Sequence, residues 1–165
     1  MSNHHNLADD ELALYNPAYL GFLLYTTIRE YNAVSSVSFS SNLAFLTLPL
    51  AVNNLFSKRL PTRKSASIDK WVNEVGGLLY QFPELVKSYR GPVVDAIEFM
   101  ADLGLIEIGN CGELSLQGKK LPKKPTFFKD STDMERTLSA ASFLGRWLAN
   151  NGNDTAIYSK LGVTP

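Results

Sequence analysis

The feature that most constrains the fold is an amphipathic segment near the end of the sequence, residues 133–150. Its apolar residues recur at helical spacing and share one face: Leu138, Ala141, Leu144, Trp147 and Leu148. Thr132 followed by Glu135 is typical of a capping box, and Gly152 is suited to end the helix. Because the apolar face is too wide to be left in water, we expect this helix to dock on the rest of the protein.

Two further helices are predicted in the first third of the sequence. Asn16 is a good N-cap and Pro17 fits the first helical position, so a helix should run from residue 17 to about residue 31. It is apolar nearly all round, which indicates a buried helix. A second apolar helix is predicted over residues 43–55, with a kink at Pro49.

Residues 66–118 are predicted to form a winged-helix-like core. The elements follow in the order helix 68–82, short helix 83–89, a break at Gly91-Pro92, helix 92–103, and strands 105–108 and 113–116. The two strands surround a glycine-containing turn and would form the wing. The predicted fold class is therefore mainly α (α+β), a winged-helix-like core with a two-stranded β-hairpin wing, wrapped by additional N- and C-terminal helices.

The length of 165 residues favours a single domain with a sizeable core. We expect the following segments: a polar leader (1–11), N-terminal helices (12–60), the winged-helix-like core (66–118), a basic loop (119–130), and a C-terminal helix and tail (131–165).

Composition favours a cytoplasmic protein with no membrane contact. The apolar stretches fall well short of the roughly 20 residues that a membrane-spanning helix needs. A single cysteine, Cys111, excludes an internal disulfide and suits a reducing compartment.

The sequence offers little for catalysis. Both histidines, His4 and His5, lie in the polar leader, so the predicted body has no imidazole for acid–base work. A phosphate-binding loop motif is missing, so we do not expect this chain to bind ATP through such a loop. We therefore predict a protein that is not an enzyme, with no catalytic, cofactor-binding or metal-binding residues and no cofactor.

Two basic loops hold nine of the 16 lysine and arginine residues of a chain whose formal net charge is zero. The first contains Lys58, Arg59, Arg63 and Lys64; the second contains Lys119, Lys120, Lys123, Lys124 and Lys129. Such segregation is compatible with contacts to nucleic-acid phosphates, with ordinary solvated loops, and with an acidic protein partner.

The predicted third helix of the winged-helix core argues against reading of DNA bases. Asp95, Glu98 and Asp102 share one face of helix 92–103, which has no Lys, Arg, Asn or Gln. Carboxylates would be repelled by phosphates, and the usual purine-reading side chains are missing. These three residues are better candidates for a protein interface than for DNA binding, and a solvated face is favoured over a metal site.

Four other residues are candidates for the same partner interface. Tyr19 and Tyr25 lie on the first helix, which carries aromatic residues on several sides. Arg146 and Trp147 are adjacent at the end of the last helix, and both residue types are common at interaction hot spots. For all four, a place inside the fold is the alternative.

Short motifs in a fixed order carry a family resemblance. They are Asn16-Pro17-Ala18-Tyr19, Leu48-Pro49-Leu50, Leu60-Pro61-Thr62-Arg63 before Trp71, and the C-terminal helix with its Gly-containing turn. Together they resemble the middle component of bacterial three-component ABC-ATPase systems. The resemblance implies a small non-enzymatic subunit whose partners are an ABC-type ATPase and an effector-like third protein, acting against phage or other invading DNA. An adaptor that bridges the two is the leading hypothesis, and a winged-helix DNA-binding protein or repressor with sequence-tolerant contacts is the alternative.

Overall fold

The computed structural model describes residues 15–165; the predicted leader and its two histidines lie outside the described residues. The helices are α1 (Pro17–Asn32), α2 (Ser41–Val52), α3 (Asn54–Ser57), α4 (Ile68–Val75), α5 (Phe82–Asp102), α6 (Thr132–Ala149) and α7 (Asp154–Leu161). Two 3₁₀ helices span Gly76–Gln81 and Thr126–Asp130, and the strands are β1 (Phe39–Ser40), β2 (Ile106–Ile108) and β3 (Glu113–Leu116). The mainly helical fold class with a small β component is confirmed.

The first helix follows its sequence signals closely. The Asn16 side-chain oxygen accepts the backbone N–H of Ala18 at 2.9 Å, and Pro17 opens the helix, as predicted. Helix α2 continues past Pro49 and ends at Val52, and the backbone becomes extended at Asn53. Asn53 then caps α3 by accepting the Leu55 N–H at 2.9 Å. The predicted helix over 43–55 is therefore two helices joined at a capping asparagine.

Helix α5 differs from the two helices that were predicted within the winged-helix-like core. It runs unbroken for 21 residues through Gly91 and Pro92, where the sequence predicted a break between two helices. Its buried residues stay in register on both sides of the proline: Val86, Tyr89, Val93, Ala96 and Ile97. Burial of this continuous face outweighs the roughly 3 kcal/mol cost of an internal proline. The predicted short helix 83–89 and helix 92–103 are therefore wrong as separate elements, and the predicted winged helix is not confirmed.

The predicted hairpin is present, but it belongs to a larger sheet. Strands β2 and β3 pair antiparallel, with Ile106 opposite Leu116. Strand β1 pairs with the other edge of β3, with Phe39 opposite Leu114, which gives the strand order β1-β3-β2. A two-residue strand is too short for alternation to reveal it in a sequence. The predicted two-stranded wing is therefore a three-stranded antiparallel sheet.

The C-terminal tail forms a helix that the sequence did not predict. Asp154, in the first turn of α7, accepts hydrogen bonds from the Asn42 amide at 3.1 Å and the Ser40 hydroxyl at 2.9 Å. These two bonds hold the pKa of the Asp154 carboxyl below its usual value. Tyr158 donates its hydroxyl to the Asn42 carbonyl at 2.6 Å. Helix α7 is thereby fixed to the start of α2.

Helix α1 is the centre of the core and packs between α5 and α6. Gly21 faces the Met100 side chain of α5, and Gly145 of α6 lies against the α1 backbone. A Cβ at position 145 would fall 2.3 Å from the carbonyl oxygen of Thr27, far inside contact distance. Within residues 15–165, no helix combines the length and apolarity needed to cross a membrane.

We predict that Gly145→Ala destabilises the protein by about 1–3 kcal/mol, because the new methyl group overpacks a backbone contact. Alanine forms helices better than glycine by about 1 kcal/mol, so helix propensity alone would make this variant more stable. A loss of stability would therefore come from the packing contact. The matched control is Gly91→Ala in α5, where a Cβ would meet nothing within 4 Å. Urea unfolding of both variants measures the difference. A Gly145→Ala protein as stable as the Gly91→Ala control would contradict the packing described.

Candidate functional site

Two buried tryptophans hold the backbone of the first basic loop, residues 58–67. Trp71 donates its indole N–H to the Arg59 carbonyl at 2.7 Å, and Trp147 donates to the Ala66 carbonyl at 2.7 Å. The two rings meet edge to face at 5.4 Å, and neither side chain is exposed. The indole of Trp147 is used inside the fold, which favours the alternative given for this residue, and its contact with a partner stays a prediction.

Helix α1 holds the second basic loop, residues 119–130. The Leu121 N–H donates to the Tyr25 hydroxyl at 3.3 Å, and Arg29 donates an Nη1 hydrogen to the Leu121 carbonyl at 3.3 Å. Further along the loop, the buried Phe128 ring stacks on Tyr19 at 5.6 Å. Tyr25 and Tyr19 are 3% and 8% exposed, so both anchor this loop from the core. Their burial favours a place inside the fold over a partner interface, and contact of either residue with a partner stays a prediction.

The Tyr19 hydroxyl has its own buried partner, since it shares a hydrogen bond with the Thr137 hydroxyl of α6. Burial raises the pKa of the Tyr19 phenol, and the bond to Thr137 opposes that shift. The phenol is therefore neutral at physiological pH, and it acts as a structural link between α1 and α6.

The two basic loops, far apart in sequence, meet at one open pocket with a volume of about 580 Å³. Lys64 comes from the first loop, and Lys123, Lys124 and Lys129 come from the second. Helices α1 and α6 add Arg29 and Arg146, whereas the acidic lining residues are Glu30 and Glu135. Six basic and two acidic side chains give this wall a formal charge of +4 on a chain whose net charge is zero. The pocket is the candidate functional site.

A buried ion pair lies at one side of the pocket. The Glu30 carboxylate is almost fully buried and accepts from Arg146 Nε at 2.5 Å, and Arg29 Nε lies 3.8 Å from its other oxygen. A buried carboxylate is costly unless it is paired, so Arg146 has a structural task. The side chain of Arg146 is 35% exposed. It faces this pocket, and its predicted contact with a partner stays a prediction.

Two donors at the pocket have no hydrogen-bond partner among residues 15–165. They are the Thr26 hydroxyl and Arg29 Nε, and both atoms are buried. Thr26 as a residue is 1% exposed, and both residues line the pocket. Buried polar groups in native proteins are nearly always satisfied by protein, water or a ligand. The unpaired hydroxyl therefore marks the place where an acceptor atom is expected.

The other predicted basic residues lie outside this pocket. Lys58, Arg59, Arg63, Lys119 and Lys120 are exposed in the same two loops but do not line the cavity. The structure therefore divides the nine basic loop residues into Lys64, Lys123, Lys124 and Lys129, which converge, and five others, which do not. Contact of any of them with nucleic acid stays a prediction.

The three predicted acidic interface residues lie together on the exposed face of α5. Asp95, Glu98 and Asp102 are all exposed. On either side of them lie three exposed apolar side chains, Val94, Phe99 and Leu103, which are 41%, 37% and 57% exposed. Within residues 15–165, no cluster of three or more His, Cys, Asp or Glu side chains is arranged to hold a metal ion.

Sequence reasoning did not single out Thr26, Arg29, Glu30 or Phe143 at the pocket. One signal was available: Arg29 and Glu30 are a charged pair inside an otherwise apolar helix. Charged residues in a buried helix require partners, so they predict a nearby polar site. The identity of those partners depends on which loops pack against α1, and this is not readable from spacing.

We predict that Arg146→Ala lowers the free energy of unfolding by about 1–3 kcal/mol, because Glu30 loses its closest partner. The double variant Glu30→Gln/Arg146→Ala should cost less than the sum of the two single variants, by more than about 0.5 kcal/mol. Urea denaturation provides the four values of this cycle.

The control for that cycle is the exposed pair of Asp133 and Arg136 on α6, where Asp133 is 70% exposed. Asp133→Asn should change stability by less than about 1 kcal/mol, as expected for a surface pair. Strictly additive effects of Glu30→Gln and Arg146→Ala would show that the buried pair is not coupled.

Comparison with protein families gave a match over nearly the whole chain. The family model described as ABC-three component (ABC-3C) system Middle Component 3 matches residues 5–165. No curated protein and no solved structure matched the chain.

Proposed function

We propose an adaptor function for this chain, which belongs to the ABC-three component (ABC-3C) system Middle Component 3 family. In this proposal it is a non-enzymatic, cytoplasmic subunit that holds an ABC-type ATPase and an effector-like third component together. The assembly would act in defence against phage or other invading DNA. Family membership supports the presence of the other components, and the exposed face of α5 supports a protein contact.

The observation that carries the proposal is the composition of that face. Positions 94, 98 and 102 form one row along the helix, and positions 95, 99 and 103 form the next, because residues four apart are neighbours on a helix. Each row mixes carboxylates with large exposed apolar side chains. Phe99 and Leu103 are neighbours in one row, and Val94 lies on the other side of the carboxylates. Large exposed apolar side chains on both sides of an acidic strip favour a protein contact at this face.

Charge identifies the chemistry of the partner. Asp95, Glu98 and Asp102 would meet lysine or arginine side chains that surround an apolar patch on the partner. The same carboxylates disfavour a nucleic-acid backbone at this face. We therefore assign the face to a subunit of the same three-component system.

We also propose a winged-helix-like core, built from other helices than those predicted from the sequence. Helices α1 and α2 pack on α5, and the β2–β3 hairpin follows α5 directly. Strand β1, between α1 and α2, pairs with β3. In this arrangement α5 takes the place of the third helix. A winged-helix DNA-binding protein or repressor remains the alternative function, and the acidic outer face of α5 counts against it.

We predict that Glu98→Lys/Asp102→Lys abolishes or strongly reduces copurification with the partner subunit in co-expression experiments. Like charges facing each other across an interface cost several kcal/mol, which corresponds to a loss of affinity of more than about 100-fold. Size-exclusion chromatography and native mass spectrometry of the co-expressed system measure the assembly.

The matched control is Glu74→Lys/Asp130→Lys, which makes the same change in charge at exposed acids on other elements. This variant should assemble like the unaltered protein. If both double variants assemble normally while they remain folded by circular dichroism, the α5 face is not the interface. If both lose assembly equally, net charge rather than this face controls the interaction.

A further inference from the structure

We propose that the basic pocket between the two loops binds a nucleoside phosphate, either a free nucleotide or the terminal nucleotide of a single strand. The phosphate would lie at the lysines and arginines, and the nucleoside would lie against the apolar wall. This assignment does not depend on the adaptor role, since binding of the ligand is a property of the isolated chain.

The charge of the pocket selects an anion. Lys64 from one loop is brought to the same cavity as Lys123, Lys124 and Lys129 from the other. Holding four ammonium groups around one cavity is electrostatically unfavourable, and the two acidic residues that line the pocket do not balance it. One of these acids, Glu30, already pairs with Arg146 at 2.5 Å. A phosphate group would relieve this repulsion.

The unpaired donors indicate how deep in the pocket an oxygen of the ligand would bind. Thr26 lines the cavity, and its buried hydroxyl has no hydrogen-bond partner among the residues that the structure describes. Arg29 Nε is likewise without a hydrogen bond there, and its nearest carboxylate oxygen lies at 3.8 Å. Both atoms are covered by neighbouring side chains, so an oxygen that enters between the lysines would accept from them after those side chains shift. A charged acceptor strengthens such bonds to about twice the neutral value.

Most of the remaining wall is apolar and suits the nucleoside, with Ser139 and Ser142 as its polar members. Pro125, Leu138, Phe128 and Phe143 line the cavity beside the charged groups. The Phe143 ring is half-buried and is held by contact with Trp147 at 5.7 Å. Aromatic and apolar faces stack on nucleobases without regard to sequence. The volume of about 580 Å³ falls in the range of small-molecule sites, so the pocket fits one nucleotide rather than a length of duplex.

The test measures binding of two probes to the full chain at fixed ionic strength. One probe is a short single-stranded oligothymidylate with a 5′-phosphate and a 3′-fluorophore, followed by fluorescence anisotropy; the other is AMP, added as a competitor. The same strand with a 5′-hydroxyl is the control ligand. We expect the phosphorylated strand to bind with a Kd below about 1 mM and at least about tenfold more tightly than the hydroxyl strand.

Two variants and one matched control locate the site. Thr26→Val removes the buried hydroxyl at nearly constant volume and should weaken binding about tenfold, whereas Lys64→Gln/Lys124→Gln should weaken it by at least that much. Lys58→Gln/Lys119→Gln removes the same charge from the same loops outside the cavity and should change affinity less than about threefold. Thermal melting of each variant verifies that it is folded.

An inhibition constant of AMP below the Kd of the phosphorylated strand assigns a free nucleotide as the ligand, and an inhibition constant above that Kd assigns a strand end. Three results would overturn the proposal. They are equal binding of the phosphate and hydroxyl strands, equal losses in the two lysine pairs, and full affinity in folded Thr26→Val. Failure here would leave the adaptor proposal intact, because co-assembly is measured separately through the α5 face.

Discussion

The close approach of helix α6 to helix α1 at Gly145 determines much of the remaining structure. With no side chain at this position, the two backbones pack directly, and the Thr27 hydroxyl can donate to the Ala141 carbonyl at 3.3 Å. The same approach brings Arg146 to the buried Glu30 carboxylate. A side chain at position 145 would push the two helices apart and separate Arg146 from Glu30. Packing and charge pairing are therefore parts of one helix–helix interface.

That interface also positions both basic loops. Trp147 of α6 holds the first loop, because its indole N–H donates to the Ala66 carbonyl. Tyr25 of α1 holds the second loop, because its hydroxyl accepts the Leu121 N–H. The pocket is the space that remains between the loops, with α1 and α6 as its walls. Side chains that looked like interface candidates in the sequence are thus the supports of the site. The surface that we propose for a protein partner lies instead on the outer face of α5.

Local signals in the sequence were sufficient for several elements. Asn16 forms the expected N-cap of α1, and the turn between β2 and β3 was correctly placed. These elements depend on residues that are close in sequence. The last helix was also predicted, although Ser131 rather than Thr132 is its N-cap. The continuity of α5 through Pro92 was missed, because it depends on burial by distant segments.

The candidate site was less predictable for a similar reason. Its basic residues were recognised as two separate clusters, but convergence of Lys64 with Lys124 is a tertiary property. The buried Thr26 hydroxyl had no signal at all, since threonine in an apolar helix usually bonds to its own backbone. The burial of Tyr19 and Tyr25 was not readable from the sequence, because the exposure of an aromatic residue cannot be inferred from its position on a helix that is apolar on all sides.

The proposed adaptor function requires this chain to bridge the other two components. It can be tested by native mass spectrometry of the ATPase and the third component, co-expressed with and without this chain. We expect a complex of all three components when the chain is present and no complex of the other two when it is omitted. A stable complex of the ATPase with the third component in the absence of this chain would show that the chain is not the bridge.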